Sequence, residues 1–267
     1  MKIVCMIGPP AYLNYFVNSI AEKHEVALII RESTPLIKLP QKILNKGVFN
    51  SLKIIAKKLA SKARWEAEYN KILGKKWQHL PNNVPVLTVE DVNGSEVAQK
   101  LKELNPDIIL VQGTRMISAA TLAQMPLVLN LHWGLSPYYK GSFCTEWALL
   151  QNDVRNIGFT IHRISTKIDE GDILTQERVQ IEPDDSVNLI NMKLTRNGAE
   201  AMASAVMRIK NGETPQFEKQ NYSEGCVYLT KHWTKKKQVE LKAIEEAGIE
   251  KLLQKTGREE LPIKKWL

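Results

Sequence analysis

Cysteine is scarce: Cys5, Cys144 and Cys226 are the only three in 267 residues. They are odd in number and far apart, with no C-x-x-C. That argues against a disulfide framework and a structural zinc, and it suits a reducing cytoplasm. The five histidines are scattered without metal-ligand spacing, so no metal is expected. No apolar run approaches the roughly eighteen residues of a membrane-spanning helix. The apolar start, "MKIVCMIGPP", is too short for a secretory leader, lacks a small-residue cleavage site and reads as a first strand. A G-x-S-x-G elbow is missing, which disfavours a catalytic serine, and "MIGPP" lacks the G-x-G-x-x-G of a dinucleotide site. Internal repeats and low-complexity tracts are missing too.

What is present is an ordinary globular composition, 43% hydrophobic and 25% charged, with a net charge of +8. The charge is local. Residues 31 to 76 hold twelve Lys or Arg against Glu32, Glu66 and Glu68, which accounts for the whole excess. A nucleic-acid protein is one reading, and a basic feature on an otherwise neutral enzyme is the other. The confinement favours the second. Val48, Leu52, Ile55, Leu59 and Ala63 recur at helical spacing with Lys53, Lys57, Lys58 and Lys62 between them, which predicts an amphipathic basic helix within an insert over 35–77.

Around that insert, short apolar runs alternate with helical patterns. "KIVCMI", a helix from Tyr12 to about Lys23 and "EVALII" open the chain. "VPVLTV", a helix over 95–104, "DIILVQG", a short helix "SAATLAQM" and "LVLNLH" follow. This predicts an α/β fold with a doubly wound, mostly parallel sheet. In such sheets ligands bind beyond the carboxyl ends of the strands, where 113–116 and 132–141 both fall. "CTEWALLQN" reads as helix, "GFTIHRI" and "ILTQERVQI" as strands. A long helix from Ser186 carries Val187, Ile190, Leu194, Met202, Val206 and Ile209 on one stripe and stops at Asn211-Gly212. The predicted organisation is a catalytic domain over 1–212 and a C-terminal extension over 213–267, with a strand "CVYLT" and a helix near 238–254, packed on the first.

The chemistry is concentrated in "LNLHWGLSPYYKG". Residues two apart share a strand face, so Asn130 and His132 project together, and Asp169 in "KIDEGD" can meet them from the next loop. Gly171 there permits a tight turn and close backbone approach to a ligand. Asn, His and Asp at one crevice suit acyl transfer to an amine. An amide N–H and an imidazolium stabilise the oxyanion, and a carboxylate holds the imidazole charged and helps take the amine's proton. The bland alternative is a strand-end histidine that is merely structural.

"LNLHWGLSPYYKG" resembles the segment Asn-x-His-x-x-Leu-x-Pro-x-Tyr-x-Gly of the formyltetrahydrofolate-dependent formyltransferases. "GFTIHRISTKIDEGDIL" is similar to that family's second signature, Gly-x-Thr-x-His followed by Asp-x-Gly. The order and separation agree, and the likeness is strongest over 107–181. Departures are Trp133 and Gly134 in place of Pro-Ser, Ser136 in place of leucine, and "RIST" over 163–166. The resemblance implies a Rossmann-like core, 10-formyltetrahydrofolate as formyl donor, and Asn130, His132 and Asp169 as catalytic residues. It implies a pterin site of backbone groups at Arg115, Met116 and Ile117, faced by Lys167 and Ile168; His162 matches the family's strand histidine, with a purely structural role as the competing reading. For Met116 and Ile117, core packing is the competing reading.

The family formylates glycinamide ribonucleotide, methionyl-tRNA and amino sugars linked to nucleotides. The glycinamide enzymes carry a Gly-Ser-rich phosphate loop where this chain has "GPPAY", with two prolines that remove donors. The methionyl-tRNA enzymes carry a C-terminal barrel of five strands, whereas the 55 residues after 212 show another pattern. A nucleotide-linked amino sugar therefore fits best, with Tyr138, Tyr139 and Lys140 contacting base or pyrophosphate, or else simply packing the loop. Methionyl-tRNA or glycinamide ribonucleotide is the alternative acceptor, and a non-catalytic folate- or nucleotide-sugar-binding regulator the alternative class. No obligatory nucleic acid and no membrane span are expected, and a homodimer is compatible with this reading.

Overall fold

A computed structural model describes residues 1–33, 62–255 and 258–267. Strand β1 (Ile3–Ile7) is buried along its whole length, and its alternation divides the interior in two. Ile3, Cys5 and Ile7 face one core, Val4 and Met6 the other. After a 3-10 turn over Ala11–Leu13 come α1 (Asn14–Ala21) and β2 (Val26–Glu32), so the expected first helix starts two residues late and stops two early. The predicted basic helix falls largely on 34–61, outside the described residues. Residues 62–73, here α2, are helical.

The alternation then continues through β3 (Val86–Val89), α3 (Ser95–Leu104), β4 (Ile108–Gln112), α4 (Ala119–Leu122) and β5 (Leu127–His132). Helix α3 ends where Asn105 turns left-handed at φ 46°, ahead of a proline that cannot continue it. Next come β6 (Tyr139–Gly141), α5 (Cys144–Leu150), β7 (Gly158–Arg163), β8 (Ile173–Arg178), α6 (Val187–Lys210), β9 (Cys226–Tyr228), α7 (Lys235–Ala247) and α8 (Glu250–Leu253). Ser186 caps α6 by accepting the Leu189 N–H, and the predicted stripe of that helix is buried except for Ile209 at its end. The single helix expected near 238–254 is two helices, because Gly248 at φ 88° breaks it.

The sheet order is β3-β2-β1-β4-β5-β7-β8. Every pair from β3 to β5 is parallel, while β5–β7 and β7–β8 are antiparallel. This is an α/β fold with a mixed, mostly parallel sheet. Helices α1 and α6 cover the face carrying Ile108, Leu110 and Leu131; α3 and Ile117 cover the face carrying Ile109, Val111 and Val128. The segment after 212 is tied to this frame at several points. Strand β9 pairs in parallel with β6, Glu218 bridges Ile173, and the Lys264 carbonyl accepts the Gln176 N–H. Among the described residues no helix is long and apolar enough to cross a membrane.

Candidate active site

A cavity of about 880 Å³ runs over the ends of β4 and β5. At its centre, strand pairing sets Asn130 directly opposite His162. The Asn130 amide donates to His162 Nε2 at 3.1 Å, and His162 Nδ1 donates to the Arg163 carbonyl at 2.8 Å. Those two bonds engage both nitrogens of the His162 ring. They leave the second N–H of the Asn130 amide for the cavity.

His132 stands beside this pair, 7% exposed, with Nδ1 3.3 Å from Asp169 Oδ2. Its Nε2 donates to the Tyr139 carbonyl at 2.9 Å. Both ring nitrogens thus face acceptors, the Asp169 carboxylate and the Tyr139 carbonyl. Burial pushes the His132 pKa down, against the pull of Asp169 and of the Tyr139 carbonyl. Gly134 makes this packing available, because a Cβ there would lie 2.4 Å from His132 Nε2.

Asp169 takes a left-handed φ of 51°. Its Oδ2 also accepts the Gly141 N–H at 2.8 Å, and its Oδ1 lies 3.5 Å from His162 Nε2. Burial alone would raise its pKa. The neighbouring His132 and His162 rings and the Gly141 N–H outweigh burial and hold the carboxyl well below the usual range. Gly171 is required by this turn, since a Cβ there would meet the Arg163 carbonyl at 1.5 Å.

At one end of the cavity, Arg115, Met116 and Ile117 face Lys167 and Ile168. Buried Glu32 accepts the Arg115 N–H at 2.8 Å, and Asn93 bonds the Met116 carbonyl at 3.1 Å and the Ser118 N–H at 2.7 Å. The Arg115 carbonyl and Met116 N–H find no partner among the described residues, so a donor and an acceptor remain beside an apolar wall of Ile117 and Ile164. Met116 is 63% exposed, whereas Ile117 is buried in the core. Lys167 pairs with Glu170 and lies over the Tyr222 ring.

Tyr138, Tyr139 and Lys140 are not among the residues lining the cavity. Tyr139 is buried and donates its hydroxyl to Asp153 at 2.6 Å, while Lys140, 2% exposed, pairs with Glu170 at 3.0 Å. Tyr138 lies beneath the Arg258 guanidinium. The loop turns inward because β6 pairs with β9, and of these side chains Lys140 reaches the Asp169 turn, through Glu170. The loop's contribution to the centre is backbone: the Tyr139 carbonyl and the Gly141 N–H.

The other end of the cavity, on the α1/α6 face, is lined by residues that sequence reasoning passed over. Tyr12 stacks on Trp133 with centroids 5.6 Å apart. Gln112, Glu146 and Asn191 stand nearby in the lining. A polar residue closing the apolar run "DIILVQ" is the signal by which Gln112 was findable. Among the described residues no group of three or more His, Cys, Asp or Glu is arranged to hold a metal ion.

An α/β fold with a mixed, mostly parallel sheet, whose strand-end cavity passes from one face to the other beside an Asn-His-Asp cluster, defines the class of protein. The chain belongs to the formyl transferase family, whose sequence profile matches residues 26–206. The methionyl-tRNA formyltransferase of Caldanaerobacter subterraneus is 31% identical over 156 residues, covering 57% of this chain and 50% of that one. The chain thus spans about half the length of the curated relatives it matches. Among solved structures, a 4-N formyltransferase from Francisella tularensis superimposes with a TM-score of 0.55 at 19% identity, covering 90% of this chain and 86% of that one. An N-formyltransferase from Helicobacter canadensis, in complex with folinic acid and dTDP-3-aminofucose, gives 0.56 at 19% identity, covering 86% and 72%.

Proposed function

We propose that this protein transfers a formyl group from 10-formyltetrahydrofolate to a primary amine. The observation that carries the reading is the Asn130–His162 and His132–Asp169 cluster at the middle of a cavity open on both sheet faces. The donor supplies an acyl carbon on nitrogen, which the amine attacks as the bond to that nitrogen breaks. The free N–H of Asn130 is placed to stabilise the developing oxyanion. Asp169, ionised and backed by His132, accepts the amine's proton at Oδ1, directly or through water, and returns it to the leaving nitrogen. The end formed by 113–117 and 164–168 fits the pterin, since its free Arg115 carbonyl and Met116 N–H match a ring of alternating donors and acceptors. The folinic acid bound by the Helicobacter protein supports a folate donor.

For the acceptor we put a nucleotide-linked amino sugar first, because the α1/α6 end of the cavity is walled by amides and a carboxyl. The dTDP-3-aminofucose bound by the Helicobacter protein agrees with it. A specific observation favours methionyl-tRNA as a second reading, since the stronger sequence likeness, 31% identity, is to enzymes of that name. The experiment is incubation with 10-formyltetrahydrofolate and each acceptor in turn, following the mass gain of one formyl group. Formylation of an amino sugar with none of methionyl-tRNA supports the first reading, and the reverse supports the second. Failure with every amine removes the proposal.

A further inference from the structure

Gln112 is 2% exposed, and neither its amide nitrogen nor its amide oxygen has a hydrogen-bond partner among the described residues. Alternation along β4 puts it on the face of Ile108 and Leu110, under α1 and α6, where it lines the cavity. Two further polar atoms of the lining are buried and unpartnered among the described residues: Asn191 Oδ1 and Trp133 Nε1. Asn191 spends its amide N–H on Glu146 at 3.3 Å. Native interiors rarely leave such atoms unpaired, and several at one cavity edge mark a place where a ligand completes the bonding.

The chemistry of that ligand can be read from the wall. An amide offering both donor and acceptor, a carbonyl oxygen, an indole N–H and a carboxyl meet hydroxyl groups, each of which donates and accepts. The Tyr12–Trp133 stack offers an aromatic face to ring C–H groups. Among the described residues, the cations that line the cavity, Arg115 and Lys167, stand at the other end, and the lining at this end suits hydroxyls better than phosphate. A thioether chain would leave these polar atoms unmet. We propose that Gln112, Asn191 and Glu146, over the Tyr12–Trp133 stack, form a subsite for the hydroxylated pyranose ring of the acceptor and discriminate against an aminoacyl chain. This rests on the amino-sugar reading above.

The test uses the full chain, 10-formyltetrahydrofolate, a panel of nucleotide-linked amino sugars headed by dTDP-3-aminofucose, and methionyl-tRNA. Gln112→Leu and Asn191→Leu each remove hydrogen bonding at nearly constant volume. Each should raise the KM for the amino sugar by about 10- to 100-fold with a smaller change in kcat, as expected when a polar contact to substrate is lost. Folinic acid affinity should stay within about twofold of wild type, which also reports that the variant is folded. If the wild type formylates an amino sugar and both folded variants keep its KM, the subsite is wrong and the acceptor reading stands. A wild type that formylates methionyl-tRNA and no amino sugar overturns both.

Discussion

His132 and Asp169 hold each other in a geometry that neither would keep alone. The ring is buried with acceptors on both nitrogens, and the carboxylate is buried with donors on two sides. His132→Asn or Asp169→Asn should lower kcat by about two to four powers of ten, the range for losing acid–base or oxyanion assistance. Folinic acid affinity should change little, because neither side chain belongs to the pterin end. Near-wild-type turnover in either variant would remove them from the chemistry. Asp169 also makes a stability prediction. Its folded pKa lies below the ordinary value near 3.9, so its contribution is complete above about pH 4 and drains away as pH falls through the folded value. At pH 7, Asp169→Asn should be less stable by about 1–3 kcal/mol in urea unfolding. That gap should narrow steadily below pH 4; a gap that widened there would mean the carboxyl is not held ionised by the fold.

At the scale of elements, the Asp169 turn is built from several sides. The loop after β5 supplies the Gly141 N–H, and Lys140 pairs with Glu170. From the segment after 212, buried Gln220 donates to the carbonyls of Asp169 and Gly171, at 2.8 and 2.6 Å. Gln220→Leu keeps the volume and removes both bonds. It should lower kcat by about tenfold or more, as small misplacements of a reacting group do, with folinic acid affinity retained. Unchanged kcat would show that the turn holds its shape without that segment. Gly171→Ala is the severe counterpart. Its Cβ would overlap the Arg163 carbonyl, so the turn must open; unfolding by urea should show a loss of about 3 kcal/mol or more.

At the scale of the whole molecule, the positive charge is concentrated within 31–76, beside an otherwise balanced chain. With a nucleotide sugar as acceptor, changing Lys53, Lys57, Lys58 and Lys62 together to Gln should cost less than about tenfold in kcat/KM, and activity should vary little with salt. With methionyl-tRNA, each neutralised phosphate releases counterions; activity would fall steeply with salt and the fourfold variant would lose about a hundredfold or more. Turnover at 50 and 200 mM salt, chosen to span roughly the range over which such losses appear, separates the two outcomes.

The sequence by itself determined the strand–helix alternation, because apolar period and end signals are local: the Ser186 cap, the Asn105 stop and the alternation of β1 all lie within a few residues of what they control. It also set Asn130 and His132 on one strand face by parity, and put Asp169 in a motif that follows them. Only the tertiary structure decided what those groups touch. The pairing of β6 with β9 turned Tyr139 and Lys140 inward and aimed His132 Nε2 at a backbone carbonyl. The antiparallel pairing of β5 with β7 set His162 against Asn130. The unpartnered amide of Gln112 became visible only once α1 and α6 had closed over its strand. Pairings of this kind join residues tens of positions apart, and no local period encodes them.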